Sequence, residues 1–279
     1  MTTDGIFRQI RSKRTMLCVG LDTDYAKLPE CVKSGRSVTE AVLEFNKRII
    51  DATAPHCVAF KPNLAFYEYL GAAGWEVLGE TVEYIRSNHP EEFIIADAKR
   101  GDIGNTAKMY ARTLFETFDF DAVTLSPYMG SETVTPFLEY PGRYAIVVAL
   151  SSNPSSSDFQ GLVNGAVPRS ADSSAYKPLY RAVMEKMMSI STPDNMMFVV
   201  GATKADKLKE IRAFCPDNFF LVPGVGAQGG SAEEVIANGA SAKGGLLINS
   251  SRAILYASSG EDYAHAAAAM ASLTAIFKG

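Results

Sequence analysis

The sequence predicts an α/β protein, a single (β/α)₈ TIM barrel that spans residues 1–279. Short apolar runs of strand length recur along the chain, helical segments separate them, and the runs number eight. Runs rich in Val, Ile, Leu and Phe are typical of parallel strands that are buried on both faces. Eight strands that alternate with helices indicate a closed barrel. The alternative is a doubly wound open sheet, but the Gly-rich turn typical of that fold does not follow the first run.

The predicted strands and helices alternate in chain order. The strands are Met16–Leu21, Cys57–Phe60, Phe93–Ala96, Ala122–Leu125, Tyr144–Leu150, Met197–Val200, Phe219–Val222 and Gly245–Ile248. The helices are Ala41–Thr53, Leu64–Ser87, Gly104–Phe118, Ser174–Ser189, Lys204–Phe214, Ala232–Asn238 and the Ala-rich Ala264–Phe277. Ser37 and Glu40 have the spacing of a capping box ahead of the first helix. The polar segment Ser151–Ser174 is long for a connection, which predicts either a functional lid or a mobile loop.

The composition is that of an ordinary globular protein. Hydrophobic residues at 47% and charged residues at 21% exclude a disordered chain, a collagen-like fibre and a small disulfide scaffold. The formal net charge is −4, so we expect neither nucleic acid nor a membrane surface as a partner. The four cysteines are scattered, which favours reduced thiols, and we expect that the polar segment Met1–Arg14 does not act as a secretory signal. We therefore expect a cytoplasmic protein.

Charged side chains cluster at the ends of the second and third predicted strands, where a barrel carries its chemistry. Lys61 follows the second strand, and Asp97, Lys99 and Asp102 follow the third. Alternation along an extended strand would place Asp97 and Lys99 on one face, beside Lys61. Because charges in a partly dry site are costly unless paired, an alternating array would keep both lysines protonated. These four residues are the predicted catalytic group, and a structural salt-bridge network at the rim is the alternative.

The loops after the seventh and eighth strands predict a phosphate site. Glycines at 224, 226, 229 and 230 allow backbone N–H groups to approach an anion, and Gln228 adds a side-chain donor. Arg252 offers a planar guanidinium that matches phosphate oxygens. The alternative is a tight turn beside a surface arginine. Asp22 and Ser152 are further candidates, for a sugar hydroxyl and a base edge respectively, although each would also fit a purely structural role in its loop.

One long segment and several short ones resemble a known family. Asp97-Ala-Lys99-Arg-Gly-Asp102-Ile-Gly-Asn-Thr106 is similar to the D-x-K-x-x-D-I-G-N-T signature of the orotidine 5′-phosphate decarboxylases. The short segments follow in the family's order: Cys18-Val-Gly-Leu-Asp22, Phe60-Lys61-Pro-Asn63, Ala149-Leu-Ser-Ser152-Asn-Pro154, Val222-Pro223-Gly-Val-Gly-Ala-Gln228-Gly-Gly and Asn249-Ser-Ser-Arg252-Ala-Ile. The resemblance therefore covers nearly the whole chain.

The resemblance implies an enzyme that decarboxylates orotidine 5′-phosphate to UMP, the last step of de novo pyrimidine nucleotide synthesis, without metal or organic cofactor. It implies that Lys99 protonates C6 of the pyrimidine and that Asp97 lies beside the departing carboxylate. Lys61 and Asp102 would complete the charged array.

The same resemblance implies how substrate and subunits are arranged. The implied substrate contacts are Asp22 with the ribose, assisted by Lys61 and Asn63, Ser152 with the pyrimidine, and Gln228 and Arg252 with the phosphate. Pro223 and Thr106 belong to the same substrate-binding set. Asp102 and Thr106 would reach into the partner subunit's site, so a homodimer is implied.

Two other functions stay open at this point. One is a Mg²⁺-dependent sugar-phosphate decarboxylase or aldolase of the same barrel superfamily, which would share an Asp-x-Lys-x-x-Asp pattern. Lys61 in its Phe-Lys-Pro-Asn context and the D-I-G-N-T tail argue against it. The other is a non-catalytic nucleotide-binding barrel, which would gain little from a crowded and costly charge array.

Overall fold

The structure, a computed structural model, describes residues 1–163, 177–225 and 231–277 of the chain. Its strands form one closed parallel barrel in which each strand pairs with the next and the last pairs with the first. They are β1 (Leu17–Leu21), β2 (Ala59–Pro62), β3 (Phe93–Arg100), β4 (Ala122–Leu125), β5 (Tyr144–Leu150), β6 (Met196–Val200), β7 (Phe220–Val222) and β8 (Leu246–Ser250). The predicted (β/α)₈ barrel is confirmed, and the open doubly wound sheet is excluded.

Helices lie between the strands. The α-helices are α1 (Thr3–Lys13), α2 (Glu30–Lys33), α3 (Val38–Thr53), α4 (Ala65–Glu68), α5 (Ala72–Asn88), α6 (Gly104–Arg112), α7 (Thr135–Leu138), α8 (Leu179–Met188), α9 (Ala205–Phe214), α10 (Ala232–Gly239), α11 (Arg252–Leu255) and α12 (Tyr263–Leu273). Short 3₁₀ turns cover Tyr25–Lys27, Ala54–His56, Ser131–Thr133, Pro154–Asp158 and Ala202–Lys204, and a π-helical turn covers Thr113–Thr117. The capping box is confirmed, because Ser37 N donates to Glu40 Oε2 at 2.8 Å and Glu40 N donates to Ser37 Oγ.

Three of the predicted elements need correction. The predicted terminal helix Ala264–Phe277 ends at Leu273, and Ile276 beyond it forms an antiparallel bridge with Thr15. The predicted helix Leu64–Ser87 is two helices, α4 and α5, which meet at Gly71 with a φ of +67°. This left-handed conformation is open to glycine and ends the first helix. The second strand runs on to Pro62, so Lys61 lies inside β2 and not after it. Its carbon chain is therefore surrounded by the barrel wall, which explains its burial.

The core fills the barrel and the layer between strands and helices. Every residue of β1, β4 and β6 is buried, as the apolar runs predicted for strands covered on both faces. All four cysteines carry free thiols. Within the described ranges, no helix combines the length and the apolar character needed to cross a bilayer. That residues 1–279 form one domain stays a prediction.

Candidate active site

A cavity of about 330 Å³ opens at the carboxyl ends of the strands, where a barrel of this kind carries its chemistry. Seven of the predicted site residues line it: Asp22, Lys61, Asp97, Lys99, Ser152, Pro223 and Arg252. Further lining comes from the ends of β4 to β8: Thr124, Val148, Ser151, Asn153, Val199, Leu221, Gly224, Val225, Asn249, Ser250, Ser251 and Ala253. These side chains are far apart in sequence and meet around one cavity, as their positions at strand ends predicted.

Asp97 lies between two ammonium groups. Lys61 Nζ donates to Asp97 Oδ2 at 2.7 Å, and Lys99 Nζ donates to Asp97 Oδ1 at 2.6 Å. Asp22 Oδ1 lies 3.9 Å from Lys61 Nζ on the other side. Within one chain the alternating array therefore runs Asp22, Lys61, Asp97, Lys99, and Asp22 supplies the second carboxylate.

Burial and charge act against each other in this array. Burial alone would raise the pKa of Asp97, but the ammonium groups of Lys61 and Lys99 outweigh it and hold that pKa well below the usual range. Burial alone would lower the pKa of Lys61, but the carboxylates of Asp97 and Asp22 raise it above its ordinary value. Both groups are therefore ionised at neutral pH, which a partly dry site permits only when opposite charges are in contact.

The alternation of side chains along a regular strand does not explain how Lys99 contacts Asp97. The register between β3 and β4 shifts between Ala96 and Arg100, so that the strand bulges at Asp97 to Lys99. Lys99 has a φ of +45°, which is unusual for a residue with a Cβ. The side chain of Lys99 is 57% exposed, whereas that of Lys61 is 4% exposed. Lys99 is therefore the ammonium group that faces the open space.

A buried polar network lies beneath the loop after β1, which carries Asp22. Thr23 Oγ1 donates to Asn46 Oδ1 at 2.6 Å, Asn46 Nδ2 donates to Tyr67 Oη, and Tyr67 Oη donates to Leu21 O. Asp22 Oδ1 itself is buried and has no hydrogen-bond partner in the described part of the chain. A buried carboxylate oxygen without a donor is unfavourable, so this atom is suited to accept a hydrogen bond from a ligand hydroxyl.

The loop after β5 brings Ser152 to the cavity. Ser151 N donates to the side chain of Gln160 at 2.7 Å, and Thr203 Oγ1 donates to Ser152 O at 3.0 Å. Residues 154–158 of this loop form a 3₁₀ turn. The predicted lid or mobile loop over residues 151–174 thus begins as a hydrogen-bonded segment, and its residues 164–174 lie outside the described ranges.

The predicted phosphate side of the cavity is only partly described. Pro223 and Gly224 follow β7, and Gly224 has a φ of +96°, a conformation that favours glycine. Arg252 is exposed at the start of α11, and no carboxylate of the described residues lies within ion-pair distance of its guanidinium. Gln228 and the glycines at 226, 229 and 230 lie outside the described residues.

Three predicted residues do not line the cavity of this chain. Asn63 forms an isolated bridge with Asp97 and its Oδ1 accepts from Ala65 N, so it lies beside the array in the wall. The Asp102 carboxylate accepts a hydrogen bond from Ile103 N at 2.8 Å, and Thr106 is exposed on α6.

Two polar strand residues that line the cavity, Thr124 and Asn249, were not predicted as site residues. Thr124 is a buried hydroxyl in the otherwise apolar run of β4, and Asn249 is an amide in β8 whose Oδ1 has no hydrogen-bond partner among the described residues. The available signal was a polar residue inside an apolar run at Thr124 and a polar residue directly after such a run at Asn249.

The fold and the cavity define a parallel barrel enzyme with a lysine–aspartate array in its mouth. The model of the orotidine 5′-phosphate decarboxylase / HUMPS family matches residues 15–267, so the chain belongs to that family. It is 50% identical to the orotidine 5′-phosphate decarboxylase of Phocaeicola vulgatus over 264 residues, covering 95% of this chain and 93% of that protein. It is also 50% identical to the one of Porphyromonas gingivalis over 272 residues, covering 98% and 94%.

A solved structure gives the same result. The OMP decarboxylase of Leishmania donovani is similar to this chain with a TM-score of 0.78 and 34% identity, and the match covers 97% of this chain and 99% of that one. The family predicted from the D-I-G-N-T segment is confirmed.

Proposed function

We propose that this chain converts orotidine 5′-phosphate to UMP and CO₂, as the last step of de novo pyrimidine nucleotide synthesis. The observation that carries the proposal is Asp97 held between Lys61 and Lys99 at the barrel mouth. The sequence supports the same proposal, because the chain is 50% identical to proteins named for that activity. No metal or organic cofactor is part of the proposal.

The proposed reaction needs a group that stabilises negative charge on carbon. The bond between C6 and the carboxylate breaks, CO₂ leaves, and the electron pair remains on C6. The Lys99 ammonium, which the structure directs to the open side of the cavity, would stabilise that charge and then deliver its proton to C6.

Asp97 would lie beside the substrate carboxylate. Its repulsion of that carboxylate is present in the bound substrate and disappears as neutral CO₂ leaves. The low pKa of Asp97, which Lys61 and Lys99 hold down against the effect of burial, keeps this charge in place throughout the neutral range.

Binding groups surround this centre. The proposed contacts are Asp22 on the ribose, assisted by Lys61 and Asn63, Ser152 on the pyrimidine, and Gln228 and Arg252 on the phosphate. Pro223 belongs to the same substrate-binding set. Asp22 Oδ1, which has no hydrogen-bond partner among the described residues, supports the ribose role. Because the phosphate is remote from the reacting bond, its binding energy can be used to organise the site for the transition state.

The activity can be tested with substrate that carries labelled carbon in its carboxyl group. Purified protein in excess EDTA should release the label as CO₂ and form UMP. Mg²⁺-dependent release of CO₂ from a sugar phosphate, with no action on orotidine 5′-phosphate, would instead favour the sugar-phosphate enzyme. Tight binding of UMP without turnover would favour the non-catalytic barrel.

The proposal includes a homodimer in which Asp102 and Thr106 complete the partner subunit's site. Both residues lie outside the cavity of their own chain. Large apolar side chains are exposed close by, namely Ile103, Met109, Tyr128 and Met129. The segments that carry them follow β3 and β4, and these segments adjoin, since Ser126 N donates to Arg100 O. Exposed apolar patches of this kind mark protein–protein contacts.

A mixing experiment tests the shared site. Lys99→Ala and Asp102→Ala are each expected to be nearly inactive alone. If Asp102 acts across the interface, each mixed dimer has one site that carries neither substitution. About half of the dimers in an equal mixture are mixed, so about one quarter of wild-type activity is recovered. No recovery after verified subunit exchange would contradict the shared site.

A cytoplasmic location is also part of the proposal. The four free thiols support it, because disulfides form and persist in oxidising compartments. Fractionation of cells that express the chain, followed by immunodetection, tests it; recovery outside the cytoplasmic fraction would contradict it.

A further inference from the structure

The bulge between β3 and β4 leaves one residue of β4 facing three residues of β3. Ala96 pairs with Val123 and Arg100 pairs with Leu125, so Thr124 alone lies opposite Asp97 to Lys99. Bulges disrupt the backbone ladder locally and turn side chains to new directions, and they are frequent beside active sites. Here the bulged residues are the centre of the charged array.

Thr124 makes two hydrogen bonds at this bulge. Its Oγ1 donates to Asp97 Oδ1 at 3.0 Å and accepts from the Lys99 N–H at 2.9 Å. Its side chain is buried. A hydroxyl has one proton to donate and lone pairs to accept, so one small group serves the carboxylate of one residue and the backbone of the other.

We propose that Thr124 is a positioning residue whose hydroxyl fixes the Asp97 carboxylate and the Lys99 backbone in the geometry that the reaction needs. This inference rests on the proposed decarboxylation. Thr124 acts through Asp97 and Lys99, and no contact with the reacting atoms is assigned to it.

The backbone of Lys99 explains why such a residue is required. Its φ of +45° is unfavourable for a residue with a Cβ and persists only where the surroundings hold it. At the bulge the Lys99 N–H bonds to the Thr124 side chain and not to a ladder carbonyl. Without that acceptor, a partly buried donor loses its partner and the strand is free to relax toward ordinary extended geometry.

The carboxylate contact has a separate effect. Asp97 Oδ1 accepts from both Lys99 Nζ and Thr124 Oγ1, while Oδ2 accepts from Lys61 Nζ. Two lysine side chains alone can pivot with the carboxylate, whereas a short, β-branched donor on the neighbouring strand fixes its plane. A displacement of about 1 Å at a reacting centre can lower a rate about 10²-fold.

The test compares a hydroxyl with a methyl group at one position. Thr124→Val keeps the shape and removes both hydrogen bonds, and Thr124→Ser keeps the hydroxyl. Thr53→Val is the matched control, because Thr53 is buried on α3 and donates only to Ile49 O, away from the cavity. Steady-state rates with orotidine 5′-phosphate, the Kd of UMP and the Tm are measured for each.

We expect kcat of Thr124→Val to fall about 10²-fold, with KM and the Kd of UMP changed less than about threefold. Thr124→Ser should remain within about fivefold of wild type, and Thr53→Val should keep its kcat while its Tm falls. Three results would overturn the inference: a Val variant with nearly normal kcat, a Ser variant as slow as the Val variant, or a loss of UMP affinity that matches the loss of kcat.

Crystal structures of the variants test the positioning without turnover. In Thr124→Val we expect the 2.6 Å contact between Lys99 Nζ and Asp97 Oδ1 and the positive φ of Lys99 to be lost, and in Thr124→Ser we expect both to remain. Retention of both in the Val variant would overturn the inference. Should the Val variant fail to fold, Thr124→Ala takes its place in the same comparison. A wild-type protein that does not act on orotidine 5′-phosphate would contradict the proposed function alone.

Discussion

Glu92 shows at the scale of one residue what burial does to a charge outside the cavity. It lies directly before β3, at the opposite end of the barrel from the cavity, with a side chain that has no exposure. Lys13 Nζ contacts its Oε1 and donates to Ala54 O, whereas Oε2 has no partner among the described residues. Burial outweighs the attraction of Lys13 and raises the pKa of Glu92 to about 7.

This raised pKa predicts a pH dependence of stability. The folded state binds the Glu92 proton more tightly than the unfolded state does, so the free energy of unfolding falls as the pH rises from about 4.5 to about 7. The pKa of about 7, against the ordinary value of 4.5 for a glutamate, corresponds to about 3 kcal/mol. Glu92→Gln removes this dependence, so the variant should gain about 3 kcal/mol relative to wild type between pH 4 and pH 8.

Urea unfolding at a series of pH values measures the difference. Glu76→Gln is the matched control, since Glu76 is an exposed glutamate on α5 and its substitution should leave the curve unchanged. Parallel wild-type and Glu92→Gln curves across this range would contradict the prediction.

At the scale of elements, the contact between the end of β6 and the loop after β5 decides where Ser152 lies. A Cβ on Gly201 would be 2.6 Å from both N and Cα of Ser152. Because those are backbone atoms, no change of rotamer relieves the overlap, and the loop must move. Gly201→Ala should therefore lower kcat/KM about 10- to 100-fold and the free energy of unfolding by about 1–3 kcal/mol.

Gly79 provides the control for that substitution. It lies inside α5, and a Cβ there would be 3.5 Å from the Phe118 ring, an ordinary contact. Gly79→Ala should raise the free energy of unfolding by about 0.5–1 kcal/mol and leave kcat/KM unchanged. Equal effects of the two substitutions on activity would contradict the role of the close approach at Gly201.

Arg252, the first residue of α11, is the described residue that is proposed to bind the substrate phosphate. If Arg252 binds only the phosphate, Arg252→Ala should lower kcat/KM with orotidine 5′-phosphate by about 10²-fold or more. The same substitution should leave kcat/KM with orotidine, which lacks the phosphate, within about twofold of wild type. Steady-state assays with both substrates measure this, and an equal loss with both would place Arg252 elsewhere in the reaction.

At the scale of the whole molecule, most strands and helices of the barrel could be predicted from local sequence patterns. Buried parallel strands produce continuous apolar runs, so the eight strands were visible, and the helices between them set their direction. The helix break at Gly71 was not predicted, because the apolar spacing continues through it and a glycine inside a helical pattern is not always a break.

The site was predictable only in part, for a related reason. Lys61, Asp97 and Lys99 were found because charges at strand ends stand out, and the structure brings them together. The bulge that brings Lys99 onto Asp97 depends on pairing with β4, which is a contact between distant segments and has no local pattern. Asp102 was predicted from its position after the third strand to join this array, but it lies outside the cavity of its own chain, and its proposed role across a subunit interface comes from the family resemblance.

The measurement that tests the central claim most directly follows the ultraviolet absorbance of orotidine 5′-phosphate with purified protein in excess EDTA. Lys99→Ala is run in parallel, with Lys209→Ala, an exposed lysine on α9, as its control. The expected result is rapid conversion to UMP by wild type and Lys209→Ala, and a loss of at least about 10³-fold in Lys99→Ala. An inactive wild type with an intact fold, or an active Lys99→Ala variant, would contradict the assignment of the reaction or of its proton donor.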